Sequence, residues 1–320
     1  MTVDAQIQKL LPPWLHEAHR SVAGMTQNRR LPHALLLQSP LGWCERDLAS
    51  VLVCQILDLE LQLDAEELAH PDLRWLEREE EAQSYKVEQM RDAISFMQRT
   101  AQGNGNKVVV VPMAHRMNDA SANSLLKTLE EPPPGGHWLL LCSEPGQLLP
   151  TIRSRCQSVV VAPGPDLDTS GYITDLVAAE APEVAASLKP AELVMLQFEF
   201  LGAPEQVASA LVAGEEPVWP FLAAVLSNRD LITSVAERWN DRELSELTAA
   251  WQRYVHALAA NRLPEYANGS EKSVDKADPV KLFRFADELK EARGLVTFHA
   301  GLNRRLLLER LLLRWCGVFG

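Results

Sequence analysis

The amino-acid sequence predicts an α/β domain built on a parallel sheet, followed by a region made only of helices. Two observations lead to this prediction. Up to about residue 162, short and continuous apolar runs alternate with segments of helical periodicity. Beyond that point the apolar residues recur at helical spacing, and β-branched runs are rare. Continuous apolar strands are typical of a parallel sheet that helices cover on both faces, so the predicted fold class is α/β plus all-α.

Four segments have the composition of short buried strands bounded by turn residues. They are Ala34–Gln38, Lys107–Val111, His137–Cys142 and Gln157–Val161. An amphipathic helix is predicted around Val87–Met97, because its apolar residues recur about every 3.6 positions. The acidic stretch 58–81 before this helix is predicted to be a solvated helical face rather than a site.

A second helix is predicted within MNDASANSLLKTLEEPPP. Asn118 can cap its amino end, Asp119 suits the helix dipole, and the prolines 132–134 end it. Glu130 and Glu131 are predicted to finish an exposed helix face, and contact with an adjacent subunit is the alternative.

The remainder of the chain is predicted to be helical. Residues 162–171, APGPDLDTSG, have the composition of a linker. A small bundle is predicted over 164–212 and a larger helical region over 213–320. The last helix is apolar over most of its circumference, which indicates burial in a large core or in a subunit interface. Its arginines, Arg304, Arg305, Arg310 and Arg314, could instead form a basic strip for nucleic acid, but an interface is favoured because so much leucine would otherwise face water.

The composition is that of a globular protein without a general affinity for nucleic acid. The chain has 320 residues, of which 47% are hydrophobic and 23% charged, and its net charge is −12. This length allows two or three domains and a substantial core. Because the net charge is negative, any contact with DNA is expected to be local or to be made through partners.

The cysteines form neither a metal-binding nor a disulfide pattern. They are Cys44, Cys54, Cys142, Cys156 and Cys316, an odd number without a C-x-x-C pair. The residues MTVDAQIQKLLPPW lack signal-peptide architecture, and no apolar run approaches membrane-spanning length. We therefore expect a reduced, cytoplasmic location and no bound metal.

Residues 35–50, LLLQSPLGWCERDLAS, have the outline of a phosphate-binding loop without its chemical groups. A working loop reads G-x-x-x-x-G-K-[ST], in which the lysine meets phosphate charge and the hydroxyl holds Mg²⁺. Ser39 and Cys44 stand at the glycine positions, although Gly42 remains between them. Glu45 replaces the lysine and Arg46 the hydroxyl. A carboxylate at position 45 would repel a triphosphate, although Glu45 and Arg46 could also form a simple ion pair at the helix start.

The second half of a nucleotide site is altered in the same way. Nucleotide-hydrolysing folds end a central strand in acidic residues that hold Mg²⁺. The strand KVVVV is present, but Pro112 and Met113 occupy the acidic positions. Two independent motifs have therefore lost their chemistry while their apolar scaffolds remain.

Three segments together resemble the clamp-loader branch of the AAA+ superfamily. They are HALLLQSPLG, KVVVVPMAHRMNDASANSLLKTLEEPPP and LLPTIRSRCQ. The resemblance implies a RecA-like AAA+ parallel-sheet domain over 1–163, a helical lid domain over 164–212 and a helical collar domain for oligomerisation over 213–320. Many members carry a four-cysteine zinc module, of which only the first position has a counterpart here, Cys54. Zinc binding is therefore not expected.

The resemblance also implies a function within the bacterial DNA polymerase III holoenzyme. The chain resembles members that do not hydrolyse ATP and that occupy a pentameric clamp loader with the γ/τ and δ subunits. Through the assembled complex, such a subunit helps to load the β sliding clamp onto primed DNA. No cofactor is expected. The alternatives are an ATP-hydrolysing γ/τ-like subunit and a DNA-binding adaptor that acts alone.

Within this resemblance, Arg155 of the RSRC segment corresponds to an arginine finger that acts on the nucleotide of a neighbouring subunit. A guanidinium has a permanent charge and five fixed donors, which suit a γ-phosphate. A solvated arginine at a strand start is the alternative, and Arg153 is the second candidate for the finger. Ser143 stands near the polar sensor position of active relatives but is interpreted as an ordinary strand-end hydroxyl. Cys156 is interpreted as a small buried hydrophobic residue without a lowered pKa.

Overall fold

The computed structural model describes residues 3–27, 31–77, 84–164, 167–264, 277–298 and 303–319. The chain divides into two compact units, Met1–Leu167 and Asp168–Gly320. The first contains all the described strands and the second is helical, so the predicted fold class is confirmed. The further division of the second unit into lid and collar stays a prediction. None of the described helices combines the length and apolar character needed to cross a membrane.

The first unit is a parallel five-stranded sheet in the order β2-β3-β4-β1-β5. Its strands are β1 (Ala34–Gln38), β2 (Leu73–Trp75), β3 (Lys107–Val111), β4 (Gly136–Cys142) and β5 (Gln157–Val160). Its helices are α1 (Val3–Leu10), α2 (His16–Gln27), α3 (Glu45–Leu57), α4 (Val87–Met97), α5 (Asp119–Glu130) and α6 (Pro150–Arg153). The four predicted strands and the α4 prediction are therefore confirmed, with β4 beginning one residue earlier and β5 ending one residue earlier.

The centre of the sheet is buried on both faces, as continuous apolar strands require. Every residue of β3 is buried, and the first four residues of β1 are buried as well. β1 pairs with β4 on one side and with β5 on the other, from Leu35 opposite Gln157 to Gln38 opposite Val160. All strands run in one direction, so the loops after β1, β3 and β4 emerge at a single edge of the sheet.

The predicted helical face over residues 58–81 is wrong in the part that the structure describes. This stretch contains a single 3-10 turn, Ala65–Glu67, and the short strand β2. β2 pairs with residues 108–110 of β3 and buries Leu73. The preceding Asp72 is completely buried, where its carboxylate accepts hydrogen bonds from the N–H groups of Gln102 and Gly103. Three strand residues beside a dense run of carboxylates are too weak a pattern to reveal a strand. Residues 78–81 lie outside the described residues.

The second unit consists of helices around two hydrophobic clusters. Its helices are α7 (Ser170–Glu180), α8 (Pro182–Ser187), α9 (Pro190–Glu199), α10 (Pro204–Val212), α11 (Trp219–Ser227), α12 (Ile232–Arg238), α13 (Leu244–Ala259), α14 (Pro279–Phe298) and α15 (Arg304–Phe319). α7, α9 and α10 share the smaller cluster. The larger cluster joins α11 to α15 and contains Trp219, Trp239, Trp251 and Trp315, all at most 1% exposed.

The last helix combines a buried face with an exposed one. Leu308, Leu312 and Trp315 are completely buried, whereas Leu306 and Leu313 are 63% and 58% exposed. The predicted burial of this helix is therefore confirmed for one face only. Arg305 pairs with Glu309 at 3.2 Å, so at least one of the predicted arginines serves an ion pair within the chain.

Candidate functional site

The loops that correspond to a nucleotide site meet at the carboxyl edge of the sheet. The loop after β1 begins at Ser39, whose N–H donates a hydrogen bond to the carbonyl oxygen of Cys142 at 3.2 Å. Pro112 and Met113 follow β3, and Ser143 follows β4. The sheet therefore brings both degenerate motifs to one place, as ligand sites of parallel sheets require.

The loop after β1 turns sharply through two residues of left-handed backbone conformation. Gly42 has a φ of +78° and Cys44 a φ of +62° with a ψ of +34°. Both lie in the left-handed region, which costs a residue with a side chain roughly 1–2 kcal/mol. Cys44 is buried and directly precedes α3. Cys44 thus adopts, at the start of α3, a backbone conformation that glycine would adopt without this cost.

The side chains of this loop interact within the protein. The hydroxyl of Ser39, which is buried, donates to the carbonyl oxygen of Pro40 at 3.1 Å. Glu45 is half-buried, and Arg46 forms an ion pair with Glu66 at 2.5 Å. In this loop the Glu45 carboxylate stands where the ammonium of a lysine would bind phosphate. The Arg46 guanidinium is paired with the Glu66 carboxylate.

Two tryptophans anchor the same loop. The rings of Trp14 and Trp43 meet edge to face, with centroids 5.7 Å apart. The indole N–H of Trp14 donates to the carbonyl oxygen of Trp43 at 3.1 Å. Trp43 is 6% exposed and Trp14 is half-buried, so this aromatic contact fixes the loop against residue 14 of the same domain. The sequence offers PPW and GW as separate fragments, and nothing in their spacing predicts this contact.

The end of β3 offers no carboxylate. Met113 has a φ of +44°, and the carbonyl oxygen of Pro112 accepts a hydrogen bond from the hydroxyl of Tyr85 at 2.5 Å. His115, two residues further on, is 6% exposed, and burial lowers the pKa of its imidazole. Its Nε2 lies 3.7 Å from the Glu144 carboxylate. A buried neutral imidazole at this edge cannot replace the acidic pair that holds Mg²⁺.

Arg155 lies at the opposite edge of the sheet. Arg155 lies two residues before the start of β5, and β5 runs parallel to β1. Arg155 is therefore level with the amino end of β1, whereas residues 39–46 follow the carboxyl end of β1. The five residues of β1 span about 16 Å at the usual rise per residue. The arrangement therefore separates Arg155 from the phosphate-loop position of its own domain.

The guanidinium of Arg155 is held by four hydrogen bonds. Nε and Nη2 donate to Oε1 of Glu130 at 3.0 and 2.6 Å. Nη1 donates to the carbonyl oxygen of Thr151 at 2.9 Å and to the hydroxyl of Ser154 at 3.3 Å. The side chain of Arg155 remains 34% exposed and that of Glu130 49% exposed. Glu130 therefore finishes an exposed helix end, as predicted, but it also binds the arginine, which the sequence does not reveal.

The neighbours of Arg155 have simpler surroundings. Arg153, the second candidate, is exposed and donates from Nη1 to the carbonyl oxygen of Pro145 at 3.1 Å. Cys156 is half-buried rather than buried as predicted. Burial raises the pKa of its thiol to about 12, which agrees with the prediction that this pKa is not lowered. Within the described residues, Arg155 thus makes more side-chain hydrogen bonds than Arg153.

Cys54, at the first position of the zinc module in relatives, is a buried thiol. Its Sγ lies 4.0 Å from the carbonyl oxygen of Gln62, and burial raises its pKa. Across the described segments, no three His, Cys, Asp or Glu side chains are grouped so that they could hold a metal ion.

The chain is similar over nearly its whole length to bacterial replication proteins. The profile of the family described as "DNA polymerase III, delta subunit" matches residues 15–164. The DNA polymerase III subunit delta′ of Pseudomonas aeruginosa is 31% identical, covering 96% of this chain and 98% of the relative. The subunit delta′ of Yersinia pestis is 32% identical, covering 95% of this chain and 94% of the relative.

Among the solved structures that share this fold is that of a DNA polymerase III gamma subunit-related protein from Thermotoga maritima, with a TM-score of 0.52 and 17% identity. The match covers 96% of this chain and 100% of that protein. At this identity the likeness concerns architecture alone, and it agrees with a RecA-like sheet domain followed by helices.

Proposed function

This chain belongs to the family of DNA polymerase III delta′ subunits, which are clamp-loader components, and we propose that it acts there as a subunit without ATPase activity that lends Arg155 to a neighbouring ATPase. In this proposal the subunit joins γ/τ and δ in a pentameric ring. The assembled ring loads the β sliding clamp onto primed DNA. Residues 164–212 serve as a lid, and residues 213–320 as the collar through which the ring assembles.

The position of Arg155 relative to the degenerate loop carries the proposal. The arginine stands at the amino edge of the sheet, whereas residues 39–46 stand at the carboxyl edge. A guanidinium in that position cannot serve a nucleotide in its own domain, but it can serve one bound by a neighbour. Its permanent charge and fixed donors would stabilise the charge that develops during phosphoryl transfer.

The loss of hydrolysis rests on four substitutions at two motifs. Glu45 replaces the lysine that meets phosphate, and Arg46, which pairs with Glu66, replaces the hydroxyl that holds Mg²⁺. Pro112 and Met113 remove the carboxylates at the end of β3. Restoring any one of these groups would leave the others missing, so a functional Mg·ATP site is not expected.

Equilibrium binding of a fluorescent ATP analogue to the isolated chain separates this proposal from a γ/τ-like ATPase. We expect no saturable binding and no turnover, with a γ/τ subunit of the same loader as the positive control. Micromolar affinity accompanied by turnover would establish the γ/τ-like alternative.

Substitution of Arg155 tests the donated finger. In the reconstituted loader, Arg155→Ala should slow hydrolysis at the affected site by about a thousandfold, the scale at which such fingers act. Arg153→Ala is the matched control, because it removes a neighbouring arginine whose one hydrogen bond within the described residues goes to a backbone carbonyl. Clamp- and DNA-stimulated phosphate release measures both variants. If Arg155→Ala hydrolyses ATP like the wild type, or if Arg153→Ala carries the loss, the assignment of Arg155 is wrong.

A further inference from the structure

We propose that Glu130 is the positioning residue for Arg155, which holds the guanidinium in the orientation that it needs to act on the neighbour's nucleotide. This inference rests on the proposed role of Arg155 as a finger donated to another subunit. Nothing in the sequence points to it, since the two residues lie 25 positions apart.

The hydrogen bonds of Arg155 hold its guanidinium in place without using all of its donors. Arginine has five N–H donors in a rigid plane. Two of its bonds go to the carboxylate of Glu130, one to the carbonyl oxygen of Thr151 and one to the hydroxyl of Ser154. Among the described residues no acceptor is found for the second hydrogen on Nη2, which leaves it for an outside acceptor. Of these partners, Glu130 binds two nitrogens and is the only charged one, so it contributes most to the orientation of the plane.

The placement of Glu130 conflicts with the local electrostatics of its helix. It is the last residue of α5, and Glu131 follows it directly. Carboxylates are unfavourable at the carboxyl end of a helix, where the dipole and the unpaired carbonyl groups are negative. Residues that violate a local rule concentrate at functional sites, where another interaction compensates. For Glu130 that interaction is the guanidinium of Arg155, and no corresponding bond to Arg155 is found for Glu131 among the described residues.

Two of the three partners of the arginine, Glu130 and Thr151, directly adjoin residues of the hydrophobic core. Leu129, next to Glu130, is 2% exposed, and Ile152, next to Thr151, is completely buried. The two side chains belong to the same hydrophobic cluster. The acceptors that flank Arg155 are therefore carried by two helices, α5 and α6, that pack against one another. A long and flexible side chain becomes a fixed fork when such supports hold it.

Positioning of this kind matters because a finger must meet the transition state in a narrow range of geometry. Displacement of a catalytic group by about 1 Å can cost on the order of a hundredfold in rate. Loss of Glu130 should therefore leave the charge of Arg155 in place but slow its action. Nucleotide binding by the neighbour should not change, since the effect belongs to the transition state.

Rapid-quench measurement of ATP hydrolysis by the reconstituted loader tests this inference. The loader is charged with ATP and mixed with clamp and primed DNA, and native mass spectrometry verifies the assembly of each variant. For Glu130→Ala we expect one site per loader to slow by about ten- to a hundredfold, with unchanged ATP affinity. Glu130→Gln keeps an oxygen acceptor for both nitrogens, so its slow phase should largely recover. Glu131→Ala, the matched control, removes a charge at the same helix end and should match the wild type.

The combination with Arg155→Ala separates the failure of this inference from the failure of the proposed function. If Glu130 acts through Arg155, the double variant should be no slower than Arg155→Ala alone. Should Arg155→Ala be slow while Glu130→Ala matches Glu131→Ala, the finger stands and the role of Glu130 is refuted. Faster hydrolysis by Glu130→Ala would mean that the carboxylate restrains the arginine. Equal slowing by the alanine and glutamine variants would mean that the acceptor oxygen of residue 130 is irrelevant. Either result refutes the positioning role of Glu130. If Arg155→Ala itself has no effect, the proposed function fails and this inference fails with it.

Where the Glu130→Ala variant does not assemble, Glu130→Asp, which shortens the side chain, replaces it. The expected slow phase is the same.

Discussion

The buried carboxylate of Glu199 makes the stability of the helical unit depend on pH. Glu199 is the last residue of α9 and is 1% exposed. Its Oε1 accepts hydrogen bonds from the hydroxyl of Tyr254 at 2.8 Å and from the N–H of Val218 at 2.6 Å. Burial raises the pKa of this carboxyl group from 4.5 to about 7, against the smaller opposing effects of these hydrogen bonds and of the Arg242 charge. Arg253, which donates to the backbone carbonyl oxygen of Glu199, is the other cation beside it.

The raised pKa sets both the sign and the size of the effect. Below about pH 4.5 the group is protonated in the folded and in the unfolded chain, so its pKa shift has no effect on stability there. Between pH 4.5 and 7 the unfolded chain ionises while the folded chain keeps its proton, and the free energy of unfolding falls as pH rises. A difference of roughly 2.5 pKa units corresponds to a loss of about 3 kcal/mol. Glu199→Gln removes the titration and keeps an acceptor for Tyr254 and Val218.

Urea denaturation of the wild type and of Glu199→Gln at pH 5 and pH 8 measures this effect. Trp219 and Trp251, buried in the larger cluster of the same unit, provide a fluorescence signal. The free energy of unfolding of the variant relative to the wild type should rise by about 2–3 kcal/mol from pH 5 to pH 8, since the unfolded carboxyl is already partly ionised at pH 5. Glu183→Gln on α8, where the side chain is exposed, should show no such change. A difference between Glu199→Gln and wild type that stays constant across this range would refute the reasoning.

Two further substitutions test the packing of the sheet domain. A Cβ added at Gly135, where φ is +72°, would lie 2.1 Å from a backbone oxygen of a neighbouring loop, so Gly135→Ala should lower the free energy of unfolding by about 2–4 kcal/mol. Gly146→Ala, with nothing within 4 Å, should change it by less than about 0.5 kcal/mol in urea denaturation, and equal effects would contradict the steric argument. Lys107 is 5% exposed and donates from Nζ to the carbonyl oxygen of Phe96 at 2.9 Å, so Lys107→Met should lower the melting temperature through a loss of about 1–3 kcal/mol. The exposed Lys127→Met is its control, and an equal melting temperature for both variants would show that the buried ammonium contributes nothing.

The sequence predicts those parts of the fold that depend on local pattern. β1 and β3 are continuous apolar runs, and the cap of α5 is confirmed by the Asn118 side chain, which accepts a hydrogen bond from the N–H of Ser121 at 2.9 Å. β2 escapes prediction because it has only three residues and gains its stability from pairing with β3. The formation of β2 depends on a partner strand more than thirty residues away, and local propensity does not reveal such a partner.

The candidate site, like the fold, is predictable from the sequence only in part. The missing groups at positions 45 and 113 are evident from residue types alone, because phosphate and Mg²⁺ require particular chemistry. The contacts of the site are not evident, since Trp14 meets Trp43 across 29 positions and Glu130 meets Arg155 across 25. Such pairs arise from tertiary packing between segments that are distant in the sequence, and a single sequence carries no signal of that packing.

The structure of the assembled loader with a phosphoryl-transfer analogue bound tests the central claim most directly. We expect the Arg155 guanidinium to lie within hydrogen-bonding distance of the γ-phosphate mimic in the adjoining subunit, and residues 39–46 of this chain to hold no nucleotide. Mg·ATP density beside Glu45, or an Arg155 side chain that no neighbouring nucleotide can reach, would contradict it.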